Sequence, residues 1–475
     1  MVEHGLFIDG SWRRGGDRAL VEVLDPATET VVATVPAATT ADLDEALQAA
    51  ERSFPAWAAR PAIDRAKILH DAASALRSLR NDIAAILTRE QGKPLAEAAG
   101  EVANAADIMD WFAEEARRSY GRIIPARGAG VSQQALREPV GPVAAFSPWN
   151  FPVSQAVRKI GAALAAGCTI IIKGPEEAPG AVCEVARILS EAGVPAGALN
   201  LVFGDPPAIS SHLIPAPQIR KVSFTGSVAV GKQLAALAGL HMKRTTMELG
   251  GHAPVIVFDD VELSKVATQL ATYKYRNGGQ VCISPTRFFV HEKAYDGFLE
   301  AFVAKAKSIR VGAGASDIDM GPLATRRRVE AVDGLIREAV QDGAKLHAGG
   351  QRLNNVGYFY APTVLGDVPA QSRIMNEEPF GPVALINRFE DEEEVIARAN
   401  ATPYGLAGYA FTESSRRAAL VSARVRVGMM SINHLGLGPI ETPFGGVGDS
   451  GHGREGGSEG LDAYLETKFV SHFAG

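Results

Sequence analysis

The sequence predicts an α/β fold in which short parallel strands are covered by helices on both faces. Two alternations and one bulk property point there. Between residues 140 and 240 short apolar runs alternate with longer segments of helical period, and the same alternation restarts after Glu248. The chain of 475 residues is 46% hydrophobic and 21% charged, ordinary for a globular protein and long enough for two or three domains.

The elements follow in order. Residues 41–59 and 62–90 read as amphipathic, alanine-rich helices, and a third runs from about 95 to 118, where Asp107, Asp110, Glu114 and Glu115 alternate with apolar positions. Residues 120–137 lack helical periodicity and read as an exposed hairpin. Strands are then expected at 140–146 and 169–173, with a helix between them that opens near Pro152 and stops at Gly167. Helices fit 178–192, 207–213 and 228–239, and strands fit 199–203 and 220–225. This is a dinucleotide-binding style of architecture. After Glu248 a second α/β unit is expected over about 249–448. Its strands fall at 254–258, 286–290, 381–388 and 428–432, and its helices at 261–275, 292–307, 326–342 and 391–400. A last strand-like run lies within 459–475, and no internal repeat or low-complexity segment is evident.

Charge and cysteine count narrow the function. A net charge of −6 gives no electrostatic case for nucleic acid or anionic membrane. Residues 1–9 hold no apolar core of signal-peptide length, and the longest apolar stretches are too short to span a bilayer, so a cytoplasmic location is expected. The three cysteines, Cys168, Cys183 and Cys282, form no metal-ligand spacing, and free thiols in a reducing compartment are expected.

Cys282 stands apart because Gly278 and Gly279 precede it. Such glycines allow a tight turn and leave backbone N–H groups near the sulfur, where they can hold an oxyanion. A thiol near its reference pKa of about 8.5 is mostly protonated at neutral pH, so it needs help as a nucleophile. Cys168 and Cys183 read as inert core thiols. Glu248 precedes Leu249-Gly250-Gly251. At a strand end facing an apolar pocket its pKa would rise and it would serve as a general base; the bland alternative is a solvated loop glutamate. In Ser147-Pro148-Trp149-Asn150-Phe151-Pro152, Asn150 is either a rigid hydrogen-bond donor or an ordinary helix-start asparagine. Thr225-Gly226-Ser227-Val228-Ala229-Val230-Gly231 follows a strand and opens a helix, where a pyrophosphate meets free N–H groups, although the G-x-G-x-x-G spacing is lacking. Lys173 with Glu176 suits ribose hydroxyls, or forms a surface ion pair.

In this order along the chain, these segments resemble the aldehyde dehydrogenase superfamily over essentially its whole length. Glu378-Pro379-Phe380-Gly381-Pro382 and the run from Pro443-Phe444-Gly445-Gly446 to Gly453-Arg454-Glu455 belong to the same pattern. The resemblance implies a Rossmann-type coenzyme domain (1–117 and 138–248), an α/β catalytic domain (249–448) and a small β oligomerisation flap (118–137 and 449–475). It implies a homodimer or homotetramer. It also implies Cys282 as nucleophile, Asn150 with the Cys282 N–H as oxyanion donors, and Glu248 as base. Coenzyme contacts would come from Pro148, Trp149, Lys173, Glu176, Gly226, Ser227, Gly231, Leu249, Glu378 and Phe380. The coenzyme is NAD by preference, since a 2′-phosphate would face the Glu176 carboxylate, although some members with glutamate there accept NADP.

Arg158 and Arg276 match arginines that bind the distal carboxylate in succinate-semialdehyde dehydrogenases, and the run 213–257 looks like bacterial 2-oxoglutarate semialdehyde (2,5-dioxopentanoate) dehydrogenases. A small carboxylated semialdehyde is therefore the expected substrate, with structural ion pairing of both arginines as the alternative. Ser284 replaces a second cysteine that some of those enzymes carry, the loop His434–Ile440 lacks their carboxylate-binding serine, and Gly448 stands where a lysine is usual. Three rival functions remain at this stage: a broad enzyme for uncharged aldehydes, a CoA-acylating relative (disfavoured by Glu248), and a non-catalytic structural protein with this fold.

Overall fold

The computed structural model describes residues 2–475 and contains four sheets. The largest has eight strands in the order Gly451–His452, Arg244–Leu249, Lys221–Gly226, Val143–Phe146, Ile170–Lys173, Leu199–Val202, Leu6–Ile8, Ser11–Arg13. Its five central strands run parallel, and antiparallel strands close both edges. A seven-stranded sheet follows the order Lys345–Ala348, Thr363–Gly366, Val383–Phe389, Pro285–His291, Ala253–Val257, Ala407–Phe411, Met429–Ile432, parallel except at its first pair. The α/β class expected from the sequence is the class observed.

Local chemistry accounts for the framing. The helix Pro152–Ala166 opens with proline at its first turn and ends at Gly167, whose φ of 96° closes the left-handed cap. Every residue of that helix is buried, so it threads between layers instead of lying on a surface. The strand Ile170–Lys173 is likewise buried throughout, as a central parallel strand must be.

The structure corrects several boundaries. The single helix expected over 62–90 is two, Ala62–Ser78 and Arg80–Gln91, separated at Leu79. The strand expected at 140–146 begins at Val143, after Gly141 takes a φ of 120°. Sequence reading also missed the strands Leu20–Leu24 and Val31–Pro36, which join Val2–Glu3 in a three-stranded sheet. Within the second unit it missed Thr363–Gly366, Ala407–Phe411 and the helix Ser415–Arg424.

The fourth sheet is antiparallel: Leu465–Phe473 pairs with Val131–Pro139, which pairs with Arg122–Ile124. Only Leu465–Phe473 from the 449–475 stretch enters it. Gly451–His452 extends the eight-stranded sheet, and the helix Gly457–Asp462 packs on the helices Leu95–Ala116 and Pro152–Ala166. One hydrophobic core draws on residues from Leu6 to Leu249 with Leu461, Tyr464 and Leu465, and two further cores begin at Ala253 and Ile256. The seam between them is the short segment 250–252.

Candidate active site

A cleft of ≈ 400 Å³ opens at this seam, beyond the carboxyl ends of the parallel strands. It is lined by Pro148, Trp149, Asn150, Gly226, Ser227, Glu248, Leu249, Cys282, Glu378 and Phe380. Ten of the residues expected to act together are thus in one place. Lys173, Glu176, Gly231, Arg158 and Arg276 lie outside that lining.

Cys282 follows a turn, Arg276–Gly279, in which Asn277, Gly278 and Gly279 all take left-handed backbone angles (φ 49°, 62° and 70°). At Gly279 glycine is obligatory on a second count, because a Cβ would come 2.1 Å from the Gly381 carbonyl oxygen. Burial, with the Glu378 and Glu248 carboxylates adding, pushes the Cys282 thiol up to about 12, while the N–H groups of Ile283 and Cys282 oppose the rise. The resting thiol is therefore neutral, and a base has to relieve it of its proton. Burial also raises Cys168, to about 11, and Cys183 further, each buried in the core away from the cleft.

Asn150 is buried, and its side-chain Nδ2 donates to the Gln280 carbonyl at 3.0 Å. One N–H of that amide is thereby fixed and the other has no protein partner among the described residues. Glu248 sits in the strand Arg244–Leu249 and is buried, not the solvated loop residue of the bland reading. Neither of its carboxylate oxygens has a hydrogen-bond partner. Burial, reinforced by the Glu455 carboxylate, raises its pKa well above the ordinary value; Lys159, Arg454 and Arg158 oppose that. The reason for the tight fit is visible at Gly445, where a Cβ would stand 2.7 Å from Glu248 Oε1.

Sequence reasoning assigned no role to the charged group beside Glu248. Lys159 Nζ, wholly buried, pairs with Glu455 Oε1 at 2.5 Å and donates to Thr225 Oγ1 at 2.7 Å. Ser223 Oγ completes the group at 3.1 Å from Glu455. The available signal was the placement of Ser154, Gln155, Arg158 and Lys159 on one side of an otherwise apolar helix. Arg328 was also missed: it donates to the Pro379 carbonyl at 2.6 Å and lies over the Phe380 ring at 5.8 Å.

The cleft has features suited to a dinucleotide. Ser227 precedes the helix Val228–Leu240 without using its hydroxyl as a cap, so the first N–H groups of a long helix remain open. Gly231 lets that helix lie on the sheet, since a Cβ there would come 2.3 Å from Leu249 Cδ2. Trp149 and Phe380 meet edge to face at 5.6 Å, forming an aromatic corner against which a planar ring can pack. Glu378 accepts the Gly251 N–H at 3.1 Å, and burial lifts its carboxyl to about 7. Lys173 contacts Glu176, which also accepts the Gly204 N–H at 2.8 Å and lines a neighbouring groove with Val21, Leu24, Thr325 and Tyr358. These residues fit a pyrophosphate, a planar ring and ribose hydroxyls.

Arg158 is buried with its guanidinium 5.1 Å over the Phe444 ring, and its Nη1 has no partner. Arg276 lies 4.6 Å over Tyr273 and 5.8 Å over Phe151, with its Nε also unpartnered. Neither forms an ion pair among the described residues. Phe151, Tyr273 and Phe444 belong to the same hydrophobic cluster as Cys282. The acids nearest in effect are Glu455 and Glu248 for Arg158 and Glu97 for Arg276, none of them in direct contact.

Comparison with known proteins agrees with this geometry. The chain matches the Aldehyde dehydrogenase family over residues 12–470. It is 47% identical over 470 residues to 4-(hydroxymethyl)benzenesulfonate dehydrogenase of Comamonas testosteroni, covering 99% of this chain and 98% of that protein. It is 39% identical to the NADP(+) succinate-semialdehyde dehydrogenase of Escherichia coli, covering 98% and 96%. The crystal structure of succinate-semialdehyde dehydrogenase from Burkholderia pseudomallei superposes with a TM-score of 0.97 at 41% identity, covering 99% and 98%. The chain belongs to the aldehyde dehydrogenase family and is an oxidoreductase that works with NAD or NADP.

Proposed function

We propose that the chain oxidises a small aldehyde carrying a distal carboxylate, such as succinate semialdehyde or 2-oxoglutarate semialdehyde, to the dicarboxylate. The Cys282 thiol loses its proton to solvent, and the thiolate Sγ adds to the aldehyde carbon. The oxyanion that forms is held by the free N–H of the Asn150 amide and the Cys282 N–H. When bound, the coenzyme supplies the acceptor for the hydride lost from that carbon. An acyl group then remains on Cys282, and Glu248 draws a proton from water so that hydroxide displaces the thiolate. Trp149, Ser227, Leu249, Glu378 and Phe380 would hold the coenzyme at the cleft, with Lys173 and Glu176 at its ribose end and NAD preferred.

One observation carries the substrate class: two guanidinium groups lie over aromatic rings of the hydrophobic cluster that includes Cys282, and one nitrogen of each, Arg158 Nη1 and Arg276 Nε, is buried without a hydrogen-bond partner. A guanidinium N–H buried without an acceptor is costly, and an incoming carboxylate offers the missing acceptor. The aromatic walls favour a second reading, an aldehyde on a ring bearing a sulfonate, in keeping with the 47% identical relative. A sulfonate has the same charge and a third oxygen. In either reading the enzyme works in the cytoplasm as a homodimer or homotetramer.

The test is coenzyme reduction with both semialdehydes, a sulfonated benzaldehyde and an uncharged aldehyde of similar length, each with NAD and with NADP. Arg158→Ala is expected to lower kcat/KM for the anionic substrate at least about thirtyfold, the loss of about 2 kcal/mol, with little change for the uncharged one. Equal losses on both would remove the clamp and leave a broad aldehyde dehydrogenase. Equal rates with NADP would overturn the coenzyme preference. No coenzyme reduction with any aldehyde would favour the non-catalytic reading.

A further inference from the structure

The two oxyanion donors proposed above belong to different segments of the chain. Asn150 precedes the helix Pro152–Ala166, and Cys282 follows the Arg276–Gly279 turn. Something must hold them at one spacing, because a displacement of about 1 Å costs about a hundredfold in rate.

Behind the cleft, a buried polar network built on the corner between the helices Arg80–Gln91 and Leu95–Ala116 joins both segments. The Asn150 carbonyl accepts two hydrogen bonds, from Lys93 Nζ at 2.8 Å and from Asn277 Nδ2 at 3.0 Å. Lys93 pairs with Glu101 at 2.5 Å, and its ammonium lies 4.1 Å from the Phe151 ring centre. Glu101 in turn accepts the Val153 and Ser154 N–H groups at 2.9 and 3.2 Å, capping the helix that Asn150 precedes.

From the other side, Asn277 Oδ1 accepts from Gln91 Nε2 at 3.0 Å, and Gln91 Oε1 accepts the Lys93 N–H at 3.0 Å. Gln280 Nε2 donates to the Asn277 carbonyl at 2.9 Å, while the Gln280 carbonyl receives the Asn150 amide. Gln91, Lys93, Glu101, Asn277 and Gln280 are all buried, so these bonds act in a low dielectric without competing water. The amide at 277 is used at both ends, its oxygen accepting and its nitrogen donating, and asparagine also tolerates the left-handed φ of 49° there. Aspartate has the shape without the donor, and glycine has the backbone freedom without the link.

We propose that Asn277 and Lys93 are positioning residues that fix the spacing between the Asn150 amide and the Cys282 N–H. This rests on the reading of those two groups as the oxyanion donors. Neither Asn277 nor Lys93 lines the cleft, so both act through Asn150 and the turn.

The experiment compares two reactions of Cys282 in the full-length protein. Acylation by p-nitrophenyl acetate passes through an oxyanion, whereas alkylation by iodoacetamide does not. Asn277→Gly is expected to lower the ratio of acylation to alkylation rates by tenfold to about a hundredfold while alkylation stays near that of the parent. Lys93→Met should do the same; because it leaves Glu101 buried and unpaired and risks misfolding, Asn277→Gly decides the matter alone. Asn150→Ala separates the two ideas. If it leaves the ratio unchanged, the oxyanion reading fails and this proposal falls with it. If Asn150→Ala lowers the ratio and Asn277→Gly does not, the positioning role alone is overturned. Equal falls of both rates in Asn277→Gly would show a collapsed turn and also overturn it.

Discussion

Glu248 combines burial with two unsatisfied carboxylate oxygens, and its pKa is raised by its surroundings, Glu455 foremost among its neighbours. Only the ionised form can take a proton from water. A raised pKa therefore means that thioester hydrolysis falls as pH drops through a range higher than an ordinary carboxylate would set. Glu248→Gln is expected to give one rapid equivalent of reduced coenzyme per site, with later turnover reduced by about 10²–10⁴. Undiminished steady-state turnover in that variant would place the base elsewhere. Among single residues, Cys282, Asn150 and Glu248 were legible in the sequence because each sits in a distinctive run of glycine, proline or aromatic neighbours. Lys159 was not. A lysine in an apolar helix gives no sign, in sequence, of the glutamate 296 residues away that neutralises it.

The turn before Cys282 shows how much of an element is decided by what a side chain would hit. With φ at 70° and the Gly381 carbonyl where a Cβ would go, Gly279→Ala is expected to destabilise the fold by more than about 1 kcal/mol and to abolish Cys282 reactivity. Urea unfolding and thiol titration check the two effects; an unchanged unfolding midpoint would show that the turn yields freely. The long helices were legible because their period is sustained over many residues. The break at Leu79 was not, since Ser78-Leu79-Arg80 contains neither glycine nor proline and the apolar spacing carries through it. The strand Leu20–Leu24 buries only Val23, and Val31–Pro36 buries pairs of adjacent residues instead of alternate ones, which leaves a weak pattern to read.

At the scale of the whole molecule, the antiparallel sheet of Arg122–Ile124, Val131–Pro139 and Leu465–Phe473 is the surface least explained by a single subunit. Phe469 and Phe473 lie on one face of the strand Leu465–Phe473, and Ile123 lies on the other face of the sheet; all three are exposed. The strand's outer edge is unpaired among the described residues. If this sheet joins subunits, as the family resemblance implies, Phe469→Lys should shift the mass measured by light scattering toward a smaller species while the thermal unfolding of each subunit is largely retained. An unchanged mass would place the contact on another face. The order of the two large sheets was foreseeable from alternating elements, but their junction at 250–252 was marked in sequence only by a pair of glycines.

The stretch from Phe444 to Phe473 visits every large layer in turn. Phe444 packs in a core of the second unit, Gly451–His452 borders the eight-stranded sheet, Gly457–Asp462 rests on two helices, and Leu465–Phe473 completes the small sheet. During synthesis the earlier layers emerge from the ribosome first, each able to gather its own core. The ribbon then adds ties between layers that already meet through contacts such as Asn277 with Gln91 and Asn150. It also delivers Glu455, the counter-ion that Lys159 has awaited in a buried helix since early in translation. A nascent chain stalled short of residue 455 would therefore carry its nucleophile and base with an unneutralised lysine beside them, which makes the ribbon a late checkpoint between a folded chain and a working one.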